Sequence, residues 1–373
     1  MRSAESKSPI VLFLAHRAAF NLKPNSNPST HTISLLFYSA LCTPHSALPT
    51  LDSPGNADYY DAVKLRIGHL STFYHTAILL MARKDITVRL GIDVEWSLMG
   101  TGPAIVKAFG RGELDLAYIG LPPAIIGMEQ DIGVVCIAGG HMEGTIMAGK
   151  SSWLGFPETD DLGVVLGQFE GKTIGVPGNG SIHDVILKDA IARYAPGRNI
   201  TVRNYPWADL VTEAVVQDEV AAAFGTPALA IAIKRFAGGK ILVPAAKLWP
   251  DNPSYGIVAD RSFLSAHRQA VGRFLIAHEE AEAVLRNTPA YAAQAIADHV
   301  GIIDREFIFE TLQVSPKYCA ALTKGYIAST MDFVKALKTL GYIKRELAKD
   351  EIFDTSLIET IHPEKDHYAD GIA

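Results

Sequence analysis

Hydroxyl and imidazole side chains occur together in two short segments of the sequence. Ser71 lies four residues before His75, and Ser181 lies two residues before His183. A serine and a histidine could form a nucleophile and its base, but catalysis also needs a third group that holds the base. Neither segment has a nucleophile-elbow motif. We therefore predict that these side chains donate hydrogen bonds to a ligand, and we assign no catalytic residue.

Both histidines are predicted near the starts of helices. The positive end of the helix dipole disfavours imidazolium there, so we expect His75 and His183 to be neutral donors. Phe73, Tyr74 and Trp207 are predicted to enclose apolar parts of the ligand, although a single aromatic residue more often belongs to a core. A third histidine, in His141-Met-Glu143, is interpreted as part of a polar loop beside a hinge.

The turn Gly100-Thr-Gly-Pro103 is the strongest candidate for ligand contact. Gly102 is predicted as the N-cap of a helix and Pro103 as its first residue. Thr101 and Gly102 would then lie beside free N–H groups that can bind a ligand oxygen. The alternative is a capped surface helix that faces only water.

A second turn, Gly178-Asn-Gly-Ser181, has the same character. Ser181 and Asp184 are spaced as in a capping box, and Gly180 lets a ligand approach the backbone, with Asn179 beside it. Neither the dinucleotide fingerprint nor a phosphate-binding P-loop is present. The sequence therefore predicts no cofactor, and any nucleotide hydrolysis must occur on a partner.

An internal repeat positions these turns. Val63 to Ala124 and Gly171 to Ala228 present the same order of elements at an offset of 105 to 108 residues. The pattern His-x-[Ala/Val]-Ile-Leu matches at an offset of 108. The matching strand segments are Lys64–Gly68 with Lys172–Val176, Val94–Leu98 with Ile200–Asn204, and Glu113–Pro122 with Asp218–Pro227. Alternating strands and helices predict two parallel sheets whose strand ends share one cleft.

Downstream, one strand and several helices are predicted to complete the fold. They are a returning strand at Tyr255–Ala259, a helix over Ser265–Arg286, a helix with Pro289 in its first turn, and a helix over Met331–Leu340 that ends near Gly341. The predicted lobes are residues 61–148 with 255–345 for lobe 1 and residues 149–254 for lobe 2, followed by a C-terminal tail at 346–373.

Composition excludes several classes of protein. The 373 residues carry a formal net charge of -6, and no stripe of Lys and Arg could neutralise a run of phosphates, so no nucleic-acid partner is expected. Cys42, Cys136 and Cys319 are far apart and show no metal-ligand spacing. We predict neither a disulfide nor a metal site, and we expect each cysteine to be a small buried apolar residue.

Residues 1–60 differ from the rest and are predicted to be an export signal and linker. Lys7 precedes a short apolar stretch at Pro9–Ala15, Arg17 and Lys23 precede a second one at Ile33–Cys42, and small residues occur near Ala47. The alternative is a disordered leader that has no role in export. A periplasmic or other extracytoplasmic location is expected, and membrane anchoring through Cys42 stays open.

From about Val63 to Tyr342 the chain resembles the nitrate/sulfonate/taurine family of ABC-transporter substrate-binding proteins. The motifs that carry the resemblance are Leu65-Arg-Ile-Gly68, Gly91-Ile-Asp-Val-Glu95, Gly100-Thr-Gly-Pro103, Gly112-Glu-Leu-Asp-Leu116 with Gly120, Phe169-Glu-Gly-Lys172 and Asn287-Thr-Pro-Ala-Tyr-Ala-Ala293. The resemblance implies a type II periplasmic-binding fold, with two α/β lobes joined by a two-crossing hinge and with C-terminal helices.

The resemblance also implies contact residues and partners. Added to Tyr74, His75 and Gly180, the implied ligand contacts are Ser71, Thr72, Phe73, Thr101, Gly102, Leu121, Asn179, Ser181, His183, Trp207 and Thr226. A monomer would deliver a small molecule to an ABC permease and its ATPase. Because these loops contain no Arg or Lys, the expected ligand is a small oxyanion-bearing organic molecule such as a sulfonate, ahead of nitrate or bicarbonate.

Three alternatives stay open. The fold could bind a pyrimidine vitamin precursor, or could serve as a pyrimidine synthase or lyase, since a fold does not determine a function. The Cys-rich loop of fungal pyrimidine synthases is absent from the sequence. A ligand-binding sensor domain is the third alternative, although no output domain accompanies it.

Overall fold

The computed structural model describes residues 63–368, so the predicted leader, Cys42 and residues 369–373 lie outside the described part. The strands of residues 63–368 are β1 (Lys64–Leu70), β2 (Asp93–Met99), β3 (Leu116–Ile119), β4 (Val134–Met142), β5 (Ile146–Lys150), β6 (Thr173–Pro177), β7 (Thr201–Tyr205), β8 (Ala222–Gly225), β9 (Gly239–Val243) and β10 (Pro253–Asp260).

Helices follow most of these strands. Those between β1 and β9 are α1 (Thr76–Ala82), α2 (Lys84–Arg89), α3 (Gly102–Gly110), α4 (Leu121–Glu129), α5 (Leu162–Gly167), α6 (Ile182–Tyr194), α7 (Ala208–Val216) and α8 (Pro227–Ala237). The later ones are α9 (Ala245–Leu248), α10 (Arg261–Ala266), α11 (Arg268–Asn287), α12 (Pro289–Val300), α13 (Arg305–Val314), α14 (Lys324–Thr339), α15 (Lys349–Ile352) and α16 (Ile358–Ile361). None of the helices in the described range is long and apolar enough to cross a bilayer.

The strands form two five-stranded sheets with equivalent strand orders. Lobe 1 has the order β2-β1-β3-β10-β4, and lobe 2 has the order β7-β6-β8-β5-β9. The prediction of parallel sheets is wrong for one strand in each, because β10 and β5 run antiparallel to both of their neighbours. These two strands enter their sheets from the other lobe. They therefore start at the edge where the parallel strands end.

The chain crosses between the lobes twice, at residues 143–145 and 244–252. Strand β5 begins at Ile146 and belongs wholly to the sheet of lobe 2, so the first predicted boundary, at 148, is a few residues late. Strand β10 begins at Pro253, so the second predicted boundary, at 254, falls just inside lobe 1. Both crossings are short, and they lie side by side because β4 and β10 are paired.

Equivalent helices of the two lobes begin at a constant offset. The residues that cap paired helices are 106 positions apart: His75 with Ser181, Thr101 with Trp207, and Gly120 with Thr226. The match at an offset of 108 is therefore wrong as a structural alignment. His75 is an N-cap, whereas His183 is the second residue of α6.

The helical region after β10 differs from prediction in one place. The predicted helix Ser265–Arg286 is two helices, α10 and α11, because the backbone at His267 (φ -127°, ψ 35°) is not helical. Pro289 lies in the first turn of α12, as expected. The predicted helix at Met331 is the C-terminal half of α14, and Gly341 follows it with φ of +77°.

The C-terminal segment packs against lobe 1 and is not a separate tail. Phe353 forms a β-bridge with Cys136, and the hydroxyl of Tyr368 donates to the carbonyl of Cys319 at 2.6 Å. Burial raises the pKa of both thiols to about 12. Within the described residues both cysteines are free and buried, as the sequence predicts.

Candidate functional site

A cavity of about 40 Å³ lies between the lobes, at the edge where the parallel strands end. Nine of the residues predicted to contact ligand line it: Ser71, Thr72, Tyr74, His75, Thr101, Gly102, Ser181, His183 and Thr226. They come from four separate loops, so the fold brings together segments that are up to 155 residues apart in the sequence.

Five predicted contact residues lie outside this cavity. Phe73 packs edge to face on Phe307 with ring centroids 6.1 Å apart, and Leu121 is fully buried in the core of lobe 1. Asn179 and Trp207 line an outer groove between the lobes. The fifth, Gly180, is absent from the cavity lining, and a Cβ there would contact Ile126 and Tyr342.

Four helices of nine or more residues have their N-cap residue in the cavity wall. These residues are Thr101 and Gly120 in lobe 1 and Ser181 and Thr226 in lobe 2. The first N–H groups of a helix lack partners within the helix, and the helix dipole makes this end positive. The two lobes thus each direct two positive helix ends at the same small space.

The start of α3 differs in detail from the prediction. Thr101, with extended backbone angles (φ -149°, ψ 162°), is the N-cap, while Gly102 and Pro103 are the first two helical residues. A Cβ on Gly102 would lie 2.6 Å from Cγ of Pro123 in α4. Gly102 is therefore needed for the close packing of α3 on α4, in addition to its place in the cavity wall.

The caps in lobe 2 are made by side chains, as predicted for Ser181. Ser181 Oγ accepts the N–H of Asp184 at 3.2 Å, and Thr226 Oγ1 accepts the N–H of Leu229 at 3.2 Å. The carboxylate of Asp184 accepts the N–H of Gly180 at 2.8 Å. These bonds hold the start of α6 and the preceding glycine turn in one conformation.

The two cavity histidines are neutral, as expected. Burial lowers the pKa of His183 to about 4 and that of His75 well below its ordinary value, and neighbouring His141 contributes to the second shift. Nδ1 of His183 lies 2.9 Å from Oγ1 of Thr145, in the first crossing between the lobes. Nδ1 of His75 and Oγ1 of Thr72 are buried with no hydrogen-bond partner, so both are available to a ligand.

The cavity walls carry no formal charge at neutral pH. The lining residues, all within the described range, include no Lys, Arg, Asp or Glu. The hydroxyl of Tyr74 is 2.9 Å from that of Ser254, and burial raises the pKa of Tyr74 above its ordinary value, so the phenol stays protonated. The site can offer hydrogen bonds and helix dipoles, but it offers no charge pair.

Eight lining residues were not predicted. They are Leu70, Gly100, Gly120, Pro123, Pro177, Ile182, Ala208 and Ser254. All except Ser254 lie within a few residues of a predicted contact, so proximity to the predicted loops could have identified them. Ser254 lies at the start of β10, and its place in the cavity depends on how that strand enters lobe 1.

His141 and Glu143 do not form an acid–base pair. His141 lies within strand β4, where its Nε2 donates to the carbonyl of Ser315 at 2.5 Å, and burial lowers its pKa to about 3. Glu143 lies in the first crossing and pairs with Lys317 at 2.9 Å. Neither lines the cavity, and the segment is a strand end rather than a polar loop.

Glycines allow the two lobes to meet closely around the cavity. A Cβ added to Gly100 would lie 2.7 Å from the carbonyl oxygen of Pro206, and one added to Gly120 would lie 3.2 Å from Ile182. In each pair the first residue belongs to lobe 1 and the second to lobe 2. The lobes are therefore closed on each other in this structure.

Comparison with known proteins gives a consistent result. The model of the NMT1-like family matches residues 60–302. A Brucella abortus protein described as a "putative binding protein" is 25% identical over 226 residues, which are 60% of this chain and 67% of that protein.

Solved structures share the same architecture. The alkanesulfonate-binding protein of Xanthomonas axonopodis pv. citri, bound to MOPS, superposes with a TM-score of 0.67 at 15% identity and covers 78% of this chain and 98% of its own. The periplasmic nitrate-binding protein of Synechocystis has a TM-score of 0.67 at 13% identity, with 84% and 91% covered. The predicted two-lobed periplasmic-binding fold is confirmed.

Proposed function

The chain belongs to the NMT1-like family, and from this premise we propose that it is the solute-binding protein of an ABC importer, closing on a small solute that bears an oxyanion. The observation that carries the proposal is the meeting of four helix N-termini, two from each lobe, at one cavity. Such ends bind anions through N–H groups and the helix dipole.

The chemistry of the walls supports hydrogen bonding over charge pairing. The oxyanion would accept from backbone N–H groups, from hydroxyls such as Thr72 Oγ1, and from a neutral His75. Because the buried site holds no counter-ion, recognition depends on donors that are already in place. A dianion would be disfavoured, since four helix ends supply only partial charges.

The size of the cavity favours a compact ligand. One enclosed water needs about 10–15 Å³, so a cavity of about 40 Å³ has room for about three or four waters. A nitrate ion or the head group of a small sulfonate is of this size. A larger organic ligand would require the lobes to stand further apart than they do here.

The geometry does not support catalysis at the cavity. Ser181 Oγ donates to the carbonyl of Pro177, and His183 Nδ1 is bonded to Thr145, so the serine and histidine are not paired as nucleophile and base. We therefore propose binding without chemistry. A permease and its ATPase would receive the ligand from a monomer outside the cytoplasm.

Ligand release followed by a binding panel tests the function. Mass spectrometry of denatured, natively purified protein should reveal one co-purifying small anion. Methanesulfonate, taurine, nitrate, bicarbonate and a hydroxymethylpyrimidine are then added to ligand-free protein, and the unfolding midpoint is measured. A compact anion should raise the midpoint because it binds only the folded, closed state.

The panel separates the alternatives. A shift with the pyrimidine alone would replace the oxyanion with a neutral heterocycle as the ligand class. No shift with any compound at millimolar concentration, together with no co-purifying solute, would contradict a solute-binding role.

A further inference from the structure

A cluster of metal-binding side chains lies in lobe 1, where the C-terminal segment packs on α11. Glu279, His362 and His367 each offer one donor atom, and these three atoms lie within 4.8 Å of one another. None of the three residues lines the cavity between the lobes. Imidazole nitrogen and carboxylate oxygen are ligands that zinc binds in proteins.

The environment of His362 is a second observation that points to a metal. This residue is only 5% exposed, and its Nδ1 has no hydrogen-bond partner, although Oε1 of Glu364 is 3.3 Å away. Its Nε2 faces the sulfur of Cys319 at 3.1 Å. A metal on Nε2 would leave Nδ1 to the carboxylate of Glu364, which would orient the ring, as carboxylates commonly do for metal-binding histidines.

The sulfur of Cys319 adjoins this group, 3.1 Å from Nε2 of His362, but it is not among the donor atoms that lie within 4.8 Å of one another, so it would bind the ion only after a shift toward it. A divalent ion on the adjoining imidazole would bind Cys319 as the thiolate and release the thiol proton to solvent, because the thiolate is the form that binds metal. Two nitrogens, one oxygen and one sulfur make a donor set suited to tetrahedral Zn²⁺.

Glu279 is held in place by other residues while keeping capacity for a metal. Its Oε1 accepts from a guanidinium nitrogen of Arg286 at 2.9 Å, and its Oε2 accepts the N–H of Ala320 at 3.3 Å. An ionised carboxylate has about four lone-pair positions, so acceptor positions remain on both oxygens. Arg286 also donates to the carbonyl of Tyr318 at 3.1 Å, which fixes the orientation of the pair.

We propose that Glu279, His362 and His367 bind one zinc ion, with Cys319 as the adjoining fourth donor. The ion would fasten the C-terminal segment to α11 and to residues 315–323 of lobe 1. The spacing of the two histidines, with four residues between them, falls in the range seen in zinc sites. The sequence predicts no metal site because Cys319 and Glu279 lie 43 and 83 residues before His362.

Zinc stoichiometry of the whole chain tests the proposal. The full chain, free of any affinity tag, is stripped with a chelator and titrated with ZnCl₂ by calorimetry. The wild type should bind one equivalent, and the double variant His362→Ala/His367→Ala should lose it. His267→Ala is the matched control, because His267 caps α11 in the same lobe outside the cluster, and it should bind as the wild type does.

A cobalt spectrum identifies the ligands and covers the case in which the double variant does not fold. Co²⁺ in the wild type should show intense tetrahedral d–d bands and a thiolate charge-transfer band, and Cys319→Ser should lose only the latter. The single variant His367→Ala, at a half-buried position, should weaken zinc binding at least tenfold. Wild-type protein that binds no equivalent of zinc, or a double variant that still binds it, would overturn the proposal.

Discussion

Alanine at Gly100 should prevent closure of the lobes while leaving each lobe folded. Gly100 follows β2 in lobe 1, and its φ is not positive, so an alanine fits the local backbone. The added Cβ would lie 2.7 Å from the carbonyl oxygen of Pro206 and 3.2 Å from the ring of Trp207. Both neighbours belong to lobe 2. The clash therefore exists only when the lobes are together.

The size of the effect follows from the cost of overpacking. Forcing one extra carbon into a packed contact costs about 1–3 kcal/mol. If that cost falls entirely on the closed state, the dissociation constant rises by about 5- to 140-fold, at 1.4 kcal/mol for each factor of ten. The free protein should unfold at a urea concentration no lower than that of its control, because opening relieves the clash.

Two measurements check this prediction against a control. Gly133→Ala is matched, because Gly133 lies in the same lobe, has no positive φ and would place its Cβ in open space. Calorimetry with the ligand found by mass spectrometry gives the affinity, and small-angle scattering gives the radius of gyration. Wild-type affinity together with a wild-type radius in Gly100→Ala would show that this contact does not control closure.

Three further predictions concern the same region. Ser181→Ala removes the N-cap of α6 and should lower the unfolding free energy by about 1 kcal/mol in urea titrations. A loss below a few tenths of a kcal/mol would argue against a stabilising role of this cap. The pKa of His183 is about 4 when folded and ordinary when unfolded, so the unfolded chain takes up the proton first. Lowering the pH from 7.5 to 5 should therefore reduce the unfolding free energy of the wild type by about 2 kcal/mol more than that of His183→Gln. Denaturant titration of both proteins at both pH values measures the difference. Tyr342→Phe removes the hydroxyl through which lobe 1 contacts Asp184 and Lys188 of lobe 2. Small-angle scattering of the ligand-free variant should therefore give a larger radius of gyration, and an unchanged radius would show that these contacts do not hold the lobes together.

Local features of the fold could be predicted from the sequence because they depend on neighbouring residues. The strand expected at Lys172–Val176 is β6, shifted by one residue, and the strand expected at Val94–Leu98 lies within β2. Ser181 caps α6 as its type and the spacing to Asp184 predict. Each of these depends on hydrophobic alternation or on a hydrogen bond within a few residues.

The direction of side chains around the cavity could not be predicted in the same way. Tyr74 and Phe73 are adjacent and both aromatic, yet Tyr74 lines the cavity while Phe73 packs on Phe307. The partner of Phe73 belongs to α13, which comes more than 200 residues later in the chain, and Tyr74 meets Ser254 of β10. Ser254 enters the site only because β10 runs antiparallel to its neighbours.

The sequence by itself determined the alternation of strands and helices, the duplication, and the polar loops that follow the strands, because these are short-range patterns. The tertiary structure alone decided the offset of 106 residues between helix starts, the closed cavity without charge, and the meeting of Glu279 with His362 and His367. These features depend on contacts between distant segments. Packing selects such contacts from the whole chain, and no local pattern specifies them.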